Sequence, residues 1–161
     1  MSHKGFVLAT DRGGHLHNAL MLLEQIGVTP EAMLTTYGPE LSTLQDGESE
    51  VILVPYLFSW IGKRRFWNPL KCLYQVMLTL FHAIRLRPRW VISTGASDVV
   101  PFCYWAKLLG AEIYHVDCMN QVTSRSVTGR LLYPIATKIF VQWEELTKLY
   151  GPKAEYAGWV L

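Results

Sequence analysis

The sequence predicts an α/β fold, a parallel sheet with helices on both faces, and three observations carry that expectation. Short apolar runs alternate with stretches of helical periodicity along the 161 residues. Two of the strand-to-helix corners are built from small and polar residues. No repeat, low-complexity tract or Pro/Gly/Ser linker divides the chain, and its length suits one domain spanning 1–161.

The elements follow in order. Phe6 to Ala9 is a continuous apolar run, as in a strand buried on both faces, so a first strand is placed near 5–10. Asp11 to Gly14 break it, and Leu16, Ala19, Leu20 and Leu23 then recur at helical spacing over 15–26. Strands near 31–36 and 50–54 flank a polar loop from Pro39 to Gly47. Asn68-Pro69 opens a helix over 69–86. Its apolar stripe is Leu70, Leu73, Tyr74, Met77, Leu80, Phe81 and Ile84, with Lys71, Gln75, Thr79, His82 and Arg85 on the other side. A strand near 90–94 leads through Thr94-Gly95-Ala96-Ser97-Asp98 into a helix over 98–109, which Gly110 ends. Strands near 112–117 and 138–142, with helices near 126–136 and 143–149, complete the alternation.

The two small-residue corners are the candidate site. In open parallel sheets, ligands bind at the carboxyl edge of the strands. A glycine pair, Gly13-Gly14, at a helix N-terminus exposes backbone N–H groups that suit an anion, and His15 sits beside it. Read alone, the pair also serves as a tight turn, since it is not a full dinucleotide fingerprint. Thr94, Gly95, Ala96 and Ser97 form the second corner; Ser97 and Asp98 read there as helix caps or as site residues. His17, two residues into the helix, His115, within a strand, and His82, on a polar helix face, read as structural. Asp117, at a strand end, is placed to orient a neighbouring imidazole.

Charge is unevenly distributed. From Val51 to Ser97 there are seven Lys and Arg and no Asp or Glu, while the other 114 residues carry eight basic and thirteen acidic side chains. The block is therefore +7 and the remainder −5, an asymmetry that points to a surface facing anions. Within about 55–89, Trp60, Phe66 and Trp67 interleave with Lys63, Arg64 and Arg65, a mixture suited to a lipid headgroup boundary. The helix after it is interrupted by Gln75, Thr79 and His82, so it reads as lying in the interface, not crossing it. A core helix beside a solvated basic loop is the plainer reading of the same residues. No nucleic-acid motif accompanies the charge. Cys72, Cys103 and Cys118 lack metal-ligand spacing and read as reduced thiols in a cytosolic setting. No long apolar run precedes the first strand, so no leader or N-terminal anchor is predicted.

These segments together resemble a known family. Ala9 to His15 is similar to the first glycine loop of MurG-type glycosyltransferases, and Arg87 to Gly95 with Ala106 to Gly110 resembles their second. Thr128 to Ala136 and Phe140 to Leu146 are similar to the acceptor-side subunits of split GT-B enzymes. Those include the membrane-anchoring half of the eukaryotic dolichol-linked N-acetylglucosaminyltransferase and bacterial exopolysaccharide subunits of the PssD type. The resemblance runs from Phe6 to Trp159. It implies a Rossmann-like domain equivalent to the N-terminal half of a GT-B enzyme, and a separate subunit that binds the nucleotide-sugar, a UDP-sugar. It further implies transfer to a lipid-diphosphate-linked saccharide in polysaccharide biosynthesis, at the cytoplasmic face of a membrane, peripheral or monotopic. The chain stops at Gly158-Trp159-Val160-Leu161, near where a fused enzyme would cross into its second half. The eukaryotic relatives carry an N-terminal membrane helix, whereas this chain begins almost at its first strand. Attachment is therefore expected through the middle segment or a partner.

An inverting transfer needs a base for the acceptor hydroxyl and a stabilised diphosphate leaving group. His15 is the expected base and Asp98 the alternative. Gly13, Gly14, Thr94, Gly95, Ala96 and Ser97 are the expected contacts to acceptor diphosphate or sugar. No metal or resident cofactor is called for. Two rival classes remain: a noncatalytic membrane adaptor that recruits and activates a transferase, and a free-standing nucleotide-binding protein, for which no convincing acidic ribose contact follows the second strand.

Overall fold

The computed structural model describes residues 4–39, 49–61 and 64–158, with backbone alone for residue 4 and for 58–61 and 64–67. Seven strands form one parallel sheet: β1 (Lys4–Ala9), β2 (Ala32–Thr36), β3 (Glu50–Val54), β6 (Pro88–Ser93), β7 (Glu112–Val116), β8 (Lys138–Val141) and β9 (Ala154–Tyr156). Their order is β3-β2-β1-β6-β7-β8-β9. The chain winds outward from β1 to one edge, returns to pair β6 with β1, and winds to the other edge. That reversal puts the loops after β1 and β6 side by side at the carboxyl edge, the usual ligand crevice of such sheets.

The two predicted corners therefore meet. The expected strands all form, and β9, only three residues long, adds an unpredicted edge. A second unpredicted feature is a small antiparallel hairpin, β4 (Phe58–Ile61) and β5 (Arg64–Trp67), in which Trp60 lies opposite Arg65 and Ser59 opposite Phe66. Lys63 lies outside the described residues, as do 40–47 of the predicted polar loop and 159–161 of the chain end.

Helix α1 (Gly14–Ile26) stands on one face; Leu16, Ala19 and Leu23 bury against Leu8 and Met33. On the other face lie α2 (Pro69–Leu86), α3 (Val100–Leu108), α4 (Val127–Leu132) and α5 (Glu144–Tyr150). The main core there joins Val7, Leu34, Val91 and Ile113 of the strands to Ala83, Phe102, Cys103 and Leu132 of the helices. Burial pushes the Cys103 thiol up to about 12, so it behaves as a small apolar side chain. Coverage is uneven. Beside α1, the β6–β8 side of the sheet leaves an apolar groove of about 590 Å³, lined by Phe6, Ile26, Trp90, Ile92, Tyr114 and Phe140 among others.

Helix α2 begins as predicted: Asn68 accepts the backbone N–H groups of Leu70 and Lys71 at 3.0 and 3.2 Å, and Pro69 takes the first helical position. Its orientation is inverted relative to an ordinary surface helix. Gln75, Thr79, Ala83 and Leu86 are buried, whereas Leu70, Leu73, Tyr74, Met77, Phe81 and Ile84 are between 48% and 76% exposed. Thr79 satisfies its hydroxyl within the helix, on the Gln75 and Val76 carbonyls at 2.9 Å. The helix thus turns its oily stripe outward. Among the described residues, no helix is long and apolar enough to cross a membrane.

Candidate functional site

The first corner leaves β1 at Thr10, whose N–H donates to the Leu34 carbonyl at 2.9 Å. Asp11 accepts a short hydrogen bond from the Thr36 hydroxyl, so this turn is tied to β2. Gly13 then adopts φ +68°, which a residue with a Cβ rarely does, and caps α1 without any side-chain hydrogen bond. A methyl group built on Gly13 or Gly14 meets nothing within 4 Å. The first turn of α1 is thus uncrowded at its two glycines, and its free backbone N–H groups are a suitable seat for an anionic group.

The second corner reaches across to hold His15. The Thr94 N–H donates to the Ala9 carbonyl at 3.2 Å, and the Thr94 hydroxyl donates to Thr10 Oγ1 at 2.8 Å. His15 Nδ1 lies 3.1 Å from the Thr94 carbonyl oxygen. A carbonyl oxygen only accepts, so Nδ1 carries the hydrogen and, in the neutral ring, Nε2 holds the lone pair. Gly95, at φ +133°, lies close against the same ring. The glycines of the two corners thus do different things: Gly13 and Gly14 leave room, and Gly95 yields it to an imidazole. Ala96 follows at φ +67°, and Ser97 opens a 3₁₀ turn, Ser97–Val99, that feeds α3; neither turn nor helix has a side-chain cap.

Asp98 is not a cap either. It is buried, and its Oδ1 accepts the backbone N–H of Leu57 at 2.6 Å, just before β4. Gln75, buried in α2, donates from Nε2 to the Asp98 carbonyl at 2.7 Å. His17 is exposed on α1. His82 faces Arg85, which pairs with Glu50 at 2.6 Å; partial burial and the guanidinium push the His82 value down, and the same pair holds the Glu50 carboxyl low. Glu50, one residue before the acid-free block, thus neutralises one of its seven cations. Arg89 stacks over Trp90 at 4.8 Å, at the opposite end of α2 from the hairpin. Among the described basic side chains, Lys71 lies in the first turn of α2, and Arg85, Arg87 and Arg89 lie at or just past its last turn.

A third cluster goes beyond the single imidazole expected beside Asp117. Asp117, just past β7, is buried and accepts hydrogen bonds from the Tyr150 hydroxyl at 2.5 Å and the Cys118 N–H at 3.0 Å. Burial pushes its carboxyl up, but the neighbouring His115, Ser126 and Tyr150 outweigh that and hold it below the usual carboxylate range. Burial and this carboxylate together raise Tyr150 far above an ordinary phenol. The imidazole beside Asp117 is that of His115, with Nε2 3.7 Å from Oδ1, and not that of His15. His115 is a core histidine, its Nδ1 on the Ser93 carbonyl at 3.1 Å. The sequence did hold one signal for this cluster. Gly129 sits inside α4, and a Cβ there would come 1.9 Å from the Tyr150 hydroxyl.

A family model described as "Oligosaccharide biosynthesis protein Alg14 like" matches residues 60–160. The Candida albicans protein "UDP-N-acetylglucosamine transferase subunit ALG14" is 26% identical over 162 residues, covering 91% of this chain and 73% of that protein. The human protein of the same name is 32% identical over 80 residues, 46% of this chain and 37% of its own length. Among solved structures, MurG of Acinetobacter baumannii aligns with a TM-score of 0.68 at 21% identity, over 88% of this chain and 43% of MurG. The UDP-GlcNAc 2-epimerase of Methanocaldococcus jannaschii aligns at 0.64 and 9% identity, over 91% of this chain and 42% of that enzyme. The structural neighbours share the Rossmann-like fold, and the chain spans about two-fifths of each.

Proposed function

The chain belongs to the Alg14-like family of oligosaccharide biosynthesis proteins, and from that premise we propose that this glycosyltransferase component is the acceptor-binding, membrane-associating subunit of a two-component inverting enzyme. The observation that carries the reading is the meeting of two glycine corners at His15, on the carboxyl edge of the sheet. In this reading Nε2 of His15 takes the proton of the acceptor hydroxyl while its oxygen attacks the anomeric carbon of the donor sugar. The nucleoside diphosphate leaves from the opposite face, and the anomeric configuration inverts. Gly13 and Gly14 receive the diphosphate of a lipid-linked saccharide on their open amide face, and Thr94 to Ser97 border it.

The donor in the named relatives is UDP-N-acetylglucosamine, and here a UDP-sugar is assigned to a partner subunit. The apolar groove that the described residues leave beside α1 supports a partner, because exposed apolar patches of this kind mark interaction surfaces. The outward stripe of α2 supports attachment to the cytoplasmic face of a membrane as a peripheral or monotopic protein. Polysaccharide or oligosaccharide assembly both supply an acceptor of this chemistry.

The test is a transfer assay to a lipid-diphosphate-linked saccharide with the chain alone, its donor-binding partner alone, and both. Turnover is expected only in the third arm. Full turnover by the partner alone would leave this chain no part in the chemistry, and an unimpaired His15→Ala complex would make it an adaptor.

A further inference from the structure

Asp98 sits where three segments converge. Its carboxylate receives the Leu57 N–H at 2.6 Å, at the entrance to the β4–β5 hairpin. Its own carbonyl receives Gln75 Nε2 at 2.7 Å, from the buried side of α2. Cys72, one turn earlier in α2, lies with Sγ 3.4 Å from the Leu57 carbonyl and closes the triangle. The other end of the same short loop is Thr94-Gly95, on which the His15 ring rests. Between them Ala96 is held at φ +67°, a conformation that persists only when both ends of a loop are fixed.

We infer that Asp98 is a positioning residue that fixes the His15-bearing loop to the hairpin and helix α2, so that seating those elements on a membrane sets the imidazole. The inference rests on the membrane and His15 readings above. It assigns Asp98 no proton transfer: the side chain is buried, and its Oδ1 accepts a main-chain N–H from 41 residues away. What the position requires is an acceptor oxygen of aspartate's size. Asparagine supplies that oxygen and removes the basicity, so the two roles separate cleanly.

The experiment follows the His15 imidazole and Leu57 amide signals by NMR in wild type, Asp98→Asn and Asp98→Ala. Each is recorded alone, with phosphatidylcholine vesicles, and with mixed phosphatidylglycerol–phosphatidylcholine vesicles; turnover is measured in the reconstituted pair. In wild type and Asp98→Asn, the anionic vesicles are expected to shift the His15 signals, and turnover stays within about threefold of wild type. In Asp98→Ala the vesicles still bind, the His15 shift is lost, and turnover falls about tenfold. Should that variant fail to fold, Gln75→Leu cuts the α2 arm alone and must weaken the same shift. Loss of turnover in Asp98→Asn with wild-type His15 signals would make Asp98 the base and overturn the inference. So would bound anionic vesicles that leave wild-type His15 unmoved. An intact vesicle-induced shift without turnover in any pairing would instead sink the transferase reading and leave the coupling standing.

Discussion

Gly95 lies against the imidazole of His15, so closely that a Cβ on it would stand 2.5 Å from Nδ1 and 2.7 Å from Cε1. The contact joins two segments 80 residues apart and explains why the second corner needs a glycine there. It is also strained for any other residue, at φ +133°. Gly95→Ala is therefore expected to displace the ring from the Thr94 carbonyl and to lower transfer about 100-fold, as loss of a general base would. Circular dichroism should show the sheet retained. A fully active Gly95→Ala enzyme would mean that the seat of the ring is irrelevant to turnover.

The proposed base, His15, gives a sharper comparison. His15→Ala is predicted to cost about 100-fold or more in kcat with complex assembly unchanged. His17, exposed two residues further along α1, should tolerate the same change within a few-fold. Equal losses in both variants would point to damage to the N-terminus of α1, not to a proton acceptor.

The parallel sheet was legible because Phe6–Ala9 and its later counterparts are short apolar runs set between helical patterns, and local pattern fixes such elements. The two corners were legible for the same reason, as small residues between a strand and a helix. What sequence could not reveal was pairing at a distance. Gln75 and Thr79 look like the wet side of an amphipathic helix, yet both are buried, because Gln75 finds the Asp98 carbonyl and Thr79 its own helix. Asp98 looks like a cap, yet its partner is Leu57. Asp117 was rightly suspected of facing an imidazole, but tertiary contact supplied His115 and Tyr150. The β4–β5 hairpin, four residues to a strand, is too short for alternation to register.

Stability should depend on pH through Asp117 and Tyr150. The folded Asp117 value is depressed, so its contribution is complete above the ordinary aspartate range, near 4, and is lost as pH falls through the lower folded value. The folded Tyr150 value is raised, so ionisation is penalised in the native state and stability declines as pH rises above about 10. Tyr150→Phe should cost about 1–3 kcal/mol near neutrality and flatten both limbs. Melting temperature against pH, by circular dichroism, checks this; curves for the two proteins that run parallel would remove the pair from the account.

The last prediction concerns helix α2. Leu73, Met77 and Phe81 are 58%, 48% and 60% exposed, on a helix whose buried side is partly polar. Replacing all three with Gln removes apolar surface from the outside only, so folding stability should change by less than about 1 kcal/mol. If the stripe lies in a leaflet, the same change should abolish binding to anionic vesicles, since an interfacial helix owes its affinity to buried apolar area together with charge. The charge arm is separable. Lys63, Arg64 and Arg65 replaced with Glu should weaken binding to anionic vesicles most at low salt, because exposed charges are screened within about 10 Å at 0.1 M. Trp60, Phe66 and Trp67 replaced with Ser should weaken it at every salt concentration. Arg85 should contribute little, because Glu50 already neutralises it. Vesicle sedimentation of the four proteins distinguishes the cases. Undiminished partitioning of the α2 variant would show that its oily face meets a protein partner rather than lipid.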